Sequence, residues 1–100
     1  MVEKIIWSLK AQEDRKQILN YWINRNKSTN YSIKLDHKFR DALNLIKDHP
    51  QIGKSTNLKN VRIKIVTDYL MVYEIKENTI LLLAIWDSRQ DPRKLKKIVR

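Results

Sequence analysis

The side chains best suited to chemistry fall on what the alternation of residue types marks as strands. Arg62 and Lys64 alternate with Val61, Ile63 and Ile65, which puts cations on one face of a strand and aliphatics on the other. Strand-borne cations have little freedom to move, so a sheet face presenting Arg62, Lys64 and Arg89 would offer fixed donors to a phosphate. A solvated edge kept soluble by its charge fits the same spacing. Tyr69 and Tyr73 lie on the next strand, beside the cations. Asp87 and Asp91, after the last strand, are placed to share acid and base duties. Structure alone also accounts for them, Asp91 as a helix cap and Asp87 as the start of a turn. From Arg93 to Arg100 there are five cations and no acid, a stretch that either contacts nucleic acid or simply solubilises the end.

Other chemistries find little support. His37 lies between Asp36 and Lys38 on a polar helix side, and His49 precedes Pro50 where an imidazole can meet terminal carbonyls. With no cysteine, no thiolate metal site or disulfide exists, and no metal site is expected. Gly53 is the one glycine, so no glycine-rich loop can cradle a phosphate; Gly53-Lys54-Ser55 resembles the end of a P-loop, but Asp48 stands where its first glycine belongs. No cofactor is expected. No serine or cysteine nucleophile has a base at a recognisable spacing.

These groups need a scaffold, and the chain has the material for one domain, residues 1–100. A chain of 100 residues buries about two-thirds of its unfolded surface, enough for a single modest core. The formal net charge of +10 is spread over both halves, which points to a polyanionic partner: RNA, DNA, an anionic membrane or an acidic protein. No apolar run reaches the roughly 20 residues a membrane span needs, and the first residues are too soon interrupted for a signal peptide. The expected compartment is a reduced cytoplasm.

Residues 2–7 read as a first strand. Ser8 is placed to cap a helix that carries Leu9, Ile18, Leu19, Trp22 and Ile23 to about Asn26, with the acidic pair Glu13-Asp14 near its early, positive end. Ser28 or Thr29 caps a second, in which Leu35, Phe39, Ala42, Leu43 and Ile46 recur at three- and four-residue steps until Pro50 and Gly53 end it. Val61–Ile65, Tyr69–Ile75 and Thr79–Trp86 are strands, the last apolar on both faces as a central strand would be. Asp91-Pro92 starts a short terminal helix with Leu95, Ile98 and Val99 on its apolar side. Trp7, Trp22 and Trp86 fall on apolar faces and read as core. The class is α+β, in the order β-α-α-β-β-β with a helical tail, a helical hairpin packed on a mainly antiparallel sheet.

Three strings carry a resemblance. Asp48-His49-Pro50-Gln51-Ile52-Gly53 looks like an "HP-x-x-G" loop, Val61 to Tyr73 like a "VR…Y…Y" hairpin, and Arg89-Gln90-Asp91-Pro92 like an "R-x-DP" ending. In this order and separation they resemble the RelE/ParE superfamily of type II toxin–antitoxin toxins, over nearly the whole chain. The resemblance implies a small toxin silenced by a cognate antitoxin that is acidic and partly disordered; the pairing of cations with an apolar stripe over residues 92–100 puts Leu95, Ile98 and Val99 at the expected contact. RelE-like members cut mRNA on the ribosome. In that reading Arg62, Lys64, Tyr73, Asp87 and Arg89 form the catalytic set, with Tyr73 or Asp87 in proton transfer. Two departures count against it. Leu70 replaces the arginine of the middle hairpin strand, leaving Arg62 on the neighbouring strand as its substitute, and no late tyrosine follows Trp86. Loss of such an arginine would cost about 3 kcal/mol of transition-state stabilisation. The loop and the ending look more like ParE-like members, which inhibit DNA gyrase; target contact would then fall to Arg62, Lys64, Arg89, Arg93 and Lys94. A basic nucleic-acid-binding module without toxicity is the third reading.

Overall fold

The computed structural model describes residues 2–89; the expected terminal helix, with Asp91, Arg93, Lys94, Leu95, Ile98 and Val99, lies outside the described residues. The elements are β1 (Lys4–Trp7), α1 (Leu9–Asn26), α2 (Asn30–Asp48), a 3-10 turn (Pro50–Ile52), β2 (Lys54–Ser55), β3 (Val61–Val66), β4 (Tyr69–Lys76) and β5 (Thr79–Asp87). The strands form one sheet in the order β1-β5-β4-β3-β2, with β1 parallel to β5 and the other pairs antiparallel. The α+β expectation holds, with one strand more than the alternation revealed. At two residues, Lys54 and Ser55, β2 is too short to show a period; it exists because it pairs with Ile63 and Arg62.

Both helices pack on one side of the sheet. From α2, Leu35, Phe39, Ala42, Leu43 and Ile46 are buried in one core with Tyr69, Met71 and Tyr73 of β4 and Ile80, Leu82 and Ile85 of β5. Full burial of a side chain such as Phe39 contributes about 1.5–3 kcal/mol. The amphipathic period of α2 thus translates directly into a buried stripe. α1 is less regular: Ala11 is its fully buried residue, and Leu9, expected on the apolar side, is 81% exposed. On the far side of the sheet Val61, Val72 and Ala84 form a smaller cluster with Leu58, Ile63 and Leu83.

The ends of the helices follow local chemistry. Ser8 caps α1 as expected, its Oγ accepting the Ala11 N–H at 3.0 Å. Lys27, with φ of 53°, ends α1 in the left-handed region. Thr29 precedes α2 without a side-chain cap bond, and Ser28 Oγ instead accepts the Asn30 N–H at 3.2 Å.

β5 outlasts its parallel neighbour. β1 pairs with Thr79–Leu82 and ends at Trp7, whereas β5 continues to Asp87. Leu83 is an extra residue, since Tyr73 faces Leu82 and Val72 faces Ala84. The edge left open is closed by α1. Ser8 N–H donates to Leu82 O at 2.9 Å, Ser8 Oγ–H donates to Leu83 O at 2.9 Å, and Ile85 N–H donates to Asp14 Oδ2 at 3.0 Å. Asp14 therefore serves the sheet, where the sequence suggested only a favourable acid near the start of α1. Asp14→Ala should cost about 1–3 kcal/mol in urea unfolding by orphaning the Ile85 amide, and Asp14→Asn, which keeps an acceptor oxygen, should cost less.

The two helices are tied by charge and by one hydroxyl. Arg15 grips Asp36 with Nε and Nη2 at 2.7 and 2.8 Å, Arg40 approaches the same carboxylate at 3.3 Å, and the buried Ser32 hydroxyl donates to Leu19 O at 2.6 Å. The bonded Arg15 guanidinium holds the Asp36 carboxyl below the usual carboxylate range, against the opposing effect of its burial. A pKa depressed by folding gives stability that is complete above the unfolded value of about 3.9 and lost as pH falls through the folded one. Between about pH 5 and pH 2 the wild type should therefore lose more stability than Asp36→Asn, measured by thermal unfolding.

Candidate functional site

Strand register decides which of the reactive side chains can meet. Arg62 lies opposite Tyr73, Lys64 opposite Met71 and Val66 opposite Tyr69. Cross-strand partners share a face, so both cations stand on the helix-bearing side. Leu70 is opposite Ile65 and Trp86, on the far side. Arg62 consequently cannot stand in for an arginine at the Leu70 position: the two residues point to opposite faces of the sheet.

Arg62 also has a local task. Its Nη1 donates to Gly53 O at 2.7 Å and to Gln51 O at 3.1 Å. Tyr73, next to it, is fully buried; its hydroxyl donates to Pro50 O at 2.7 Å and accepts the Gly53 N–H at 2.9 Å. Two strand side chains thus hold the loop of His49 to Gly53 by its backbone. The motifs "HP-x-x-G" and "VR…Y" are one clamp. The loop needs glycine for space, since Gly53 has φ of −70° and any residue could adopt its backbone, but a Cβ there would lie 2.6 Å from the Tyr73 hydroxyl oxygen.

The clamp changes the chemistry expected of Tyr73. Burial pushes the phenol above its usual range, opposed by the Gly53 N–H bond and the charge of Arg62, and its lone pair and proton are both already engaged. Tyr73 is therefore a poor proton acceptor at neutral pH, and its placement is that of a loop anchor.

At the end of β5, Asp87 and Arg89 form a closed pair. Arg89 Nε and Nη2 donate to the two Asp87 oxygens at 2.9 and 2.8 Å, and the Arg89 N–H adds a third bond at 2.9 Å. The bonded guanidinium holds the Asp87 carboxyl below its usual range, and Arg89 is raised by the same contact, so both stay charged at neutral pH. Asp87 is then a weak base with no proton to give, which removes it as a general acid. The exposed Arg89 guanidinium carbon lies 6.0 Å from the centre of the Trp22 ring. Trp22 in turn donates its indole N–H to Tyr69 Oη at 2.8 Å, and Tyr69 packs edge-on against Phe39. Two strand spacings, on the order of 10 Å, separate the backbones of β3 and β5, and Lys64 and Arg89 share a side of the sheet.

Trp86 is 9% exposed on the far face, while Trp7 and Trp22 pack half-buried against the main core. His37 is exposed, and the His49 backbone N–H closes α2 on Leu45 O at 2.8 Å. Among the described residues no three His, Asp or Glu side chains gather as a metal site, and no helix is long and apolar enough to cross a membrane.

The model of the ParE toxin of the type II toxin–antitoxin system parDE matches residues 5–92. The chain belongs to the ParE toxin family. Its fold matches a chain of the chromosomal ParDE toxin–antitoxin system from P. aeruginosa with a TM-score of 0.67, at 17% identity, covering 87% of this chain and 96% of that one. No curated protein matches it.

Sequence reasoning missed Ser8 and Asp14 as edge closers and Arg62 and Tyr73 as loop anchors. The lone glycine shortly before a strand bearing bulky residues was the available signal for the clamp. Gly53→Ala should cost about 1–3 kcal/mol by overpacking. In urea unfolding the double variant Gly53→Ala/Tyr73→Phe should cost less than the sum of the singles, because the nearest clashing atom, the hydroxyl oxygen, is gone and only the ring carbons at 2.8 and 3.0 Å remain to shift.

Proposed function

We propose that this ParE-family chain arrests growth by binding a large cellular target, with DNA gyrase as the named candidate, and is silenced by an acidic, partly disordered antitoxin that covers its basic surface. The observation that carries the reading is the state of the would-be catalytic groups. A ribonuclease of this fold needs a base for the 2′-hydroxyl and an acid for the leaving oxygen. Tyr73 is buried and bonded in both senses, and Asp87 is locked as a carboxylate. What stays available is a cationic surface around Lys64 on the sheet, suited to holding a polyanion or an acidic protein, with the exposed Arg89, paired to Asp87, at its corner. Binding chemistry needs no cofactor, and the natural setting is the cytoplasm, where gyrase and DNA are met. The tail residues Arg93 and Lys94 would extend the target surface, and Leu95, Ile98 and Val99 the antitoxin contact.

The test is induced expression in bacteria, with plasmid supercoiling and transcript 5′ ends read from one culture, followed by a gyrase supercoiling assay with purified protein. Growth arrest with lost supercoiling or broken DNA and intact transcripts is the expected result. New 5′ ends confined to translated mRNA would instead mean a RelE-like nuclease, and unaffected growth would leave only a basic binding module.

A further inference from the structure

The closure of β5 by α1 stops before the strand does. Ser88 N–H donates to Asp68 O at 2.8 Å, toward β4, whereas Ile85 N–H donates to Asp14 on the opposite side. Backbone groups alternate in direction along an antiparallel strand. Ile85 C=O and both backbone groups of Asp87 therefore also turn away from β4, toward α1. β1 reaches only Leu82, and among the described residues nothing donates to Ile85 O or accepts the Asp87 N–H.

These groups border a cavity. A space of about 530 Å³ lies between α1 and the end of β5, within the roughly 300–1,000 Å³ of small-ligand clefts. Asp14, Ile18 and Tyr21, at steps of four and three along α1, line it from the helix side. Tyr21 is half exposed and stands edge-on to Trp22 with ring centres 5.1 Å apart, leaving aromatic surface for a flat ring. Lys10 and Arg89 also line the space, each bound to its own acid, Asp14 and Asp87. The two carboxylates are thereby kept from repelling a phosphate.

An added peptide strand would need the Ile85 N–H, which Asp14 already holds. A nucleobase needs only donors and acceptors in the right order. Along this edge stand the Asp14 carboxylate, Ile85 C=O and Asp87 N–H, which are acceptor, acceptor and donor. Asp14 accepts from Ile85 N–H and Lys10, leaving room for another donor among the roughly four a carboxylate takes. Guanine presents the complement in sequence: N2–H, N1–H and O6. Adenine matches Ile85 C=O and Asp87 N–H alone. Uracil turns a second carbonyl toward the Asp14 carboxylate, and cytosine turns its O2 toward Asp87 C=O.

We propose that the slot between α1 and the end of β5 binds a guanine nucleotide, its base read by Asp14, Ile85 O and Asp87 N–H beside Tyr21. The guanine comes from a free nucleotide or from an unstacked position in a single strand, and the groups that read it are the same. This site goes beyond growth arrest and stands without it.

The probes are the monophosphates of guanosine, adenosine, cytidine, uridine and inosine, and uridine hexamers carrying one of the same bases at a central position. Each is titrated into the full chain and followed by amide NMR. The guanine form should bind at least about tenfold more tightly than the adenine, cytosine and uracil forms, with shifts at Ile85 and Asp87. Such shifts from the monophosphate assign the site to a free nucleotide, and from the hexamer alone to a guanine in a strand. Inosine lacks the 2-amino group, so it isolates the Asp14 contact. Wild type should prefer guanine to inosine by about tenfold. Asp14→Asn, which keeps one oxygen for Ile85 N–H but turns a donor to the base, should lose that preference. Equal binding of all the bases, shifts that spare Ile85 and Asp87, or a guanine preference over inosine that survives Asp14→Asn overturns the proposal.

Discussion

The fold depends on closing the edge of β5. This strand runs past the end of β1, and beyond Leu82 its outward carbonyls and amides would face the core side of α1 without partners. Ser8 and Asp14 supply them, one by backbone and hydroxyl together, the other by carboxylate. The same contacts fix the entry of α1 over the sheet. The extra residue Leu83 then resets the phase of β5, so that Ile80 and Leu82 before it and Ile85 after it all face the helices. Asp87 follows in phase with Ile85 on that side, which is why Arg89 reaches the neighbourhood of Trp22. One inserted residue thus carries the core pattern and the position of the cationic corner together.

Much of this was legible where a period was long enough. The stripe from Leu35 to Ile46, the alternation from Val61 to Ile65 and the apolar run from Thr79 to Trp86 each located an element and its buried side. The legible part ended where contacts between distant residues decide. Nothing local to Lys54 and Ser55 says strand; their partners, Ile63 and Arg62, lie nine and seven residues on. Leu9 looked like core because it is apolar, but the first turn of α1 turns Ala11 inward to approach β5 closely. Asp14 looked like a helix-dipole acid because its true partner, the Ile85 amide, is 71 positions away.

The candidate site shows the same division more sharply. Residue types and spacing located Arg62, Tyr73, Asp87 and Arg89, and the fold does bring Arg62 beside Tyr73 and Asp87 beside Arg89. Proximity, though, has been spent on mutual satisfaction. Arg62 and Tyr73 hold backbone carbonyls of the preceding loop, and Asp87 neutralises Arg89. A tyrosine at a strand beside cations suggests acid–base work until its hydroxyl is seen to bridge Pro50 and Gly53. That bridge could not be read from spacing, because a loop folding back onto a strand leaves no periodic trace.

The parallel pairing of β1 with β5 has a consequence in time. A strand made first has no partner until the last one exists, and loop-closure entropy across the intervening chain opposes any early encounter. While a ribosome is still making β4, Lys4–Trp7 is an unpaired segment, Ser8 has no Leu82 or Leu83 to bond, and Asp14 has no Ile85 amide. The helical hairpin can form locally, but it has no complete sheet to rest on. Maturation is therefore deferred to the end of synthesis, when Thr79–Asp87 has been made and Lys4–Trp7, Ser8 and Asp14 find their partners on it.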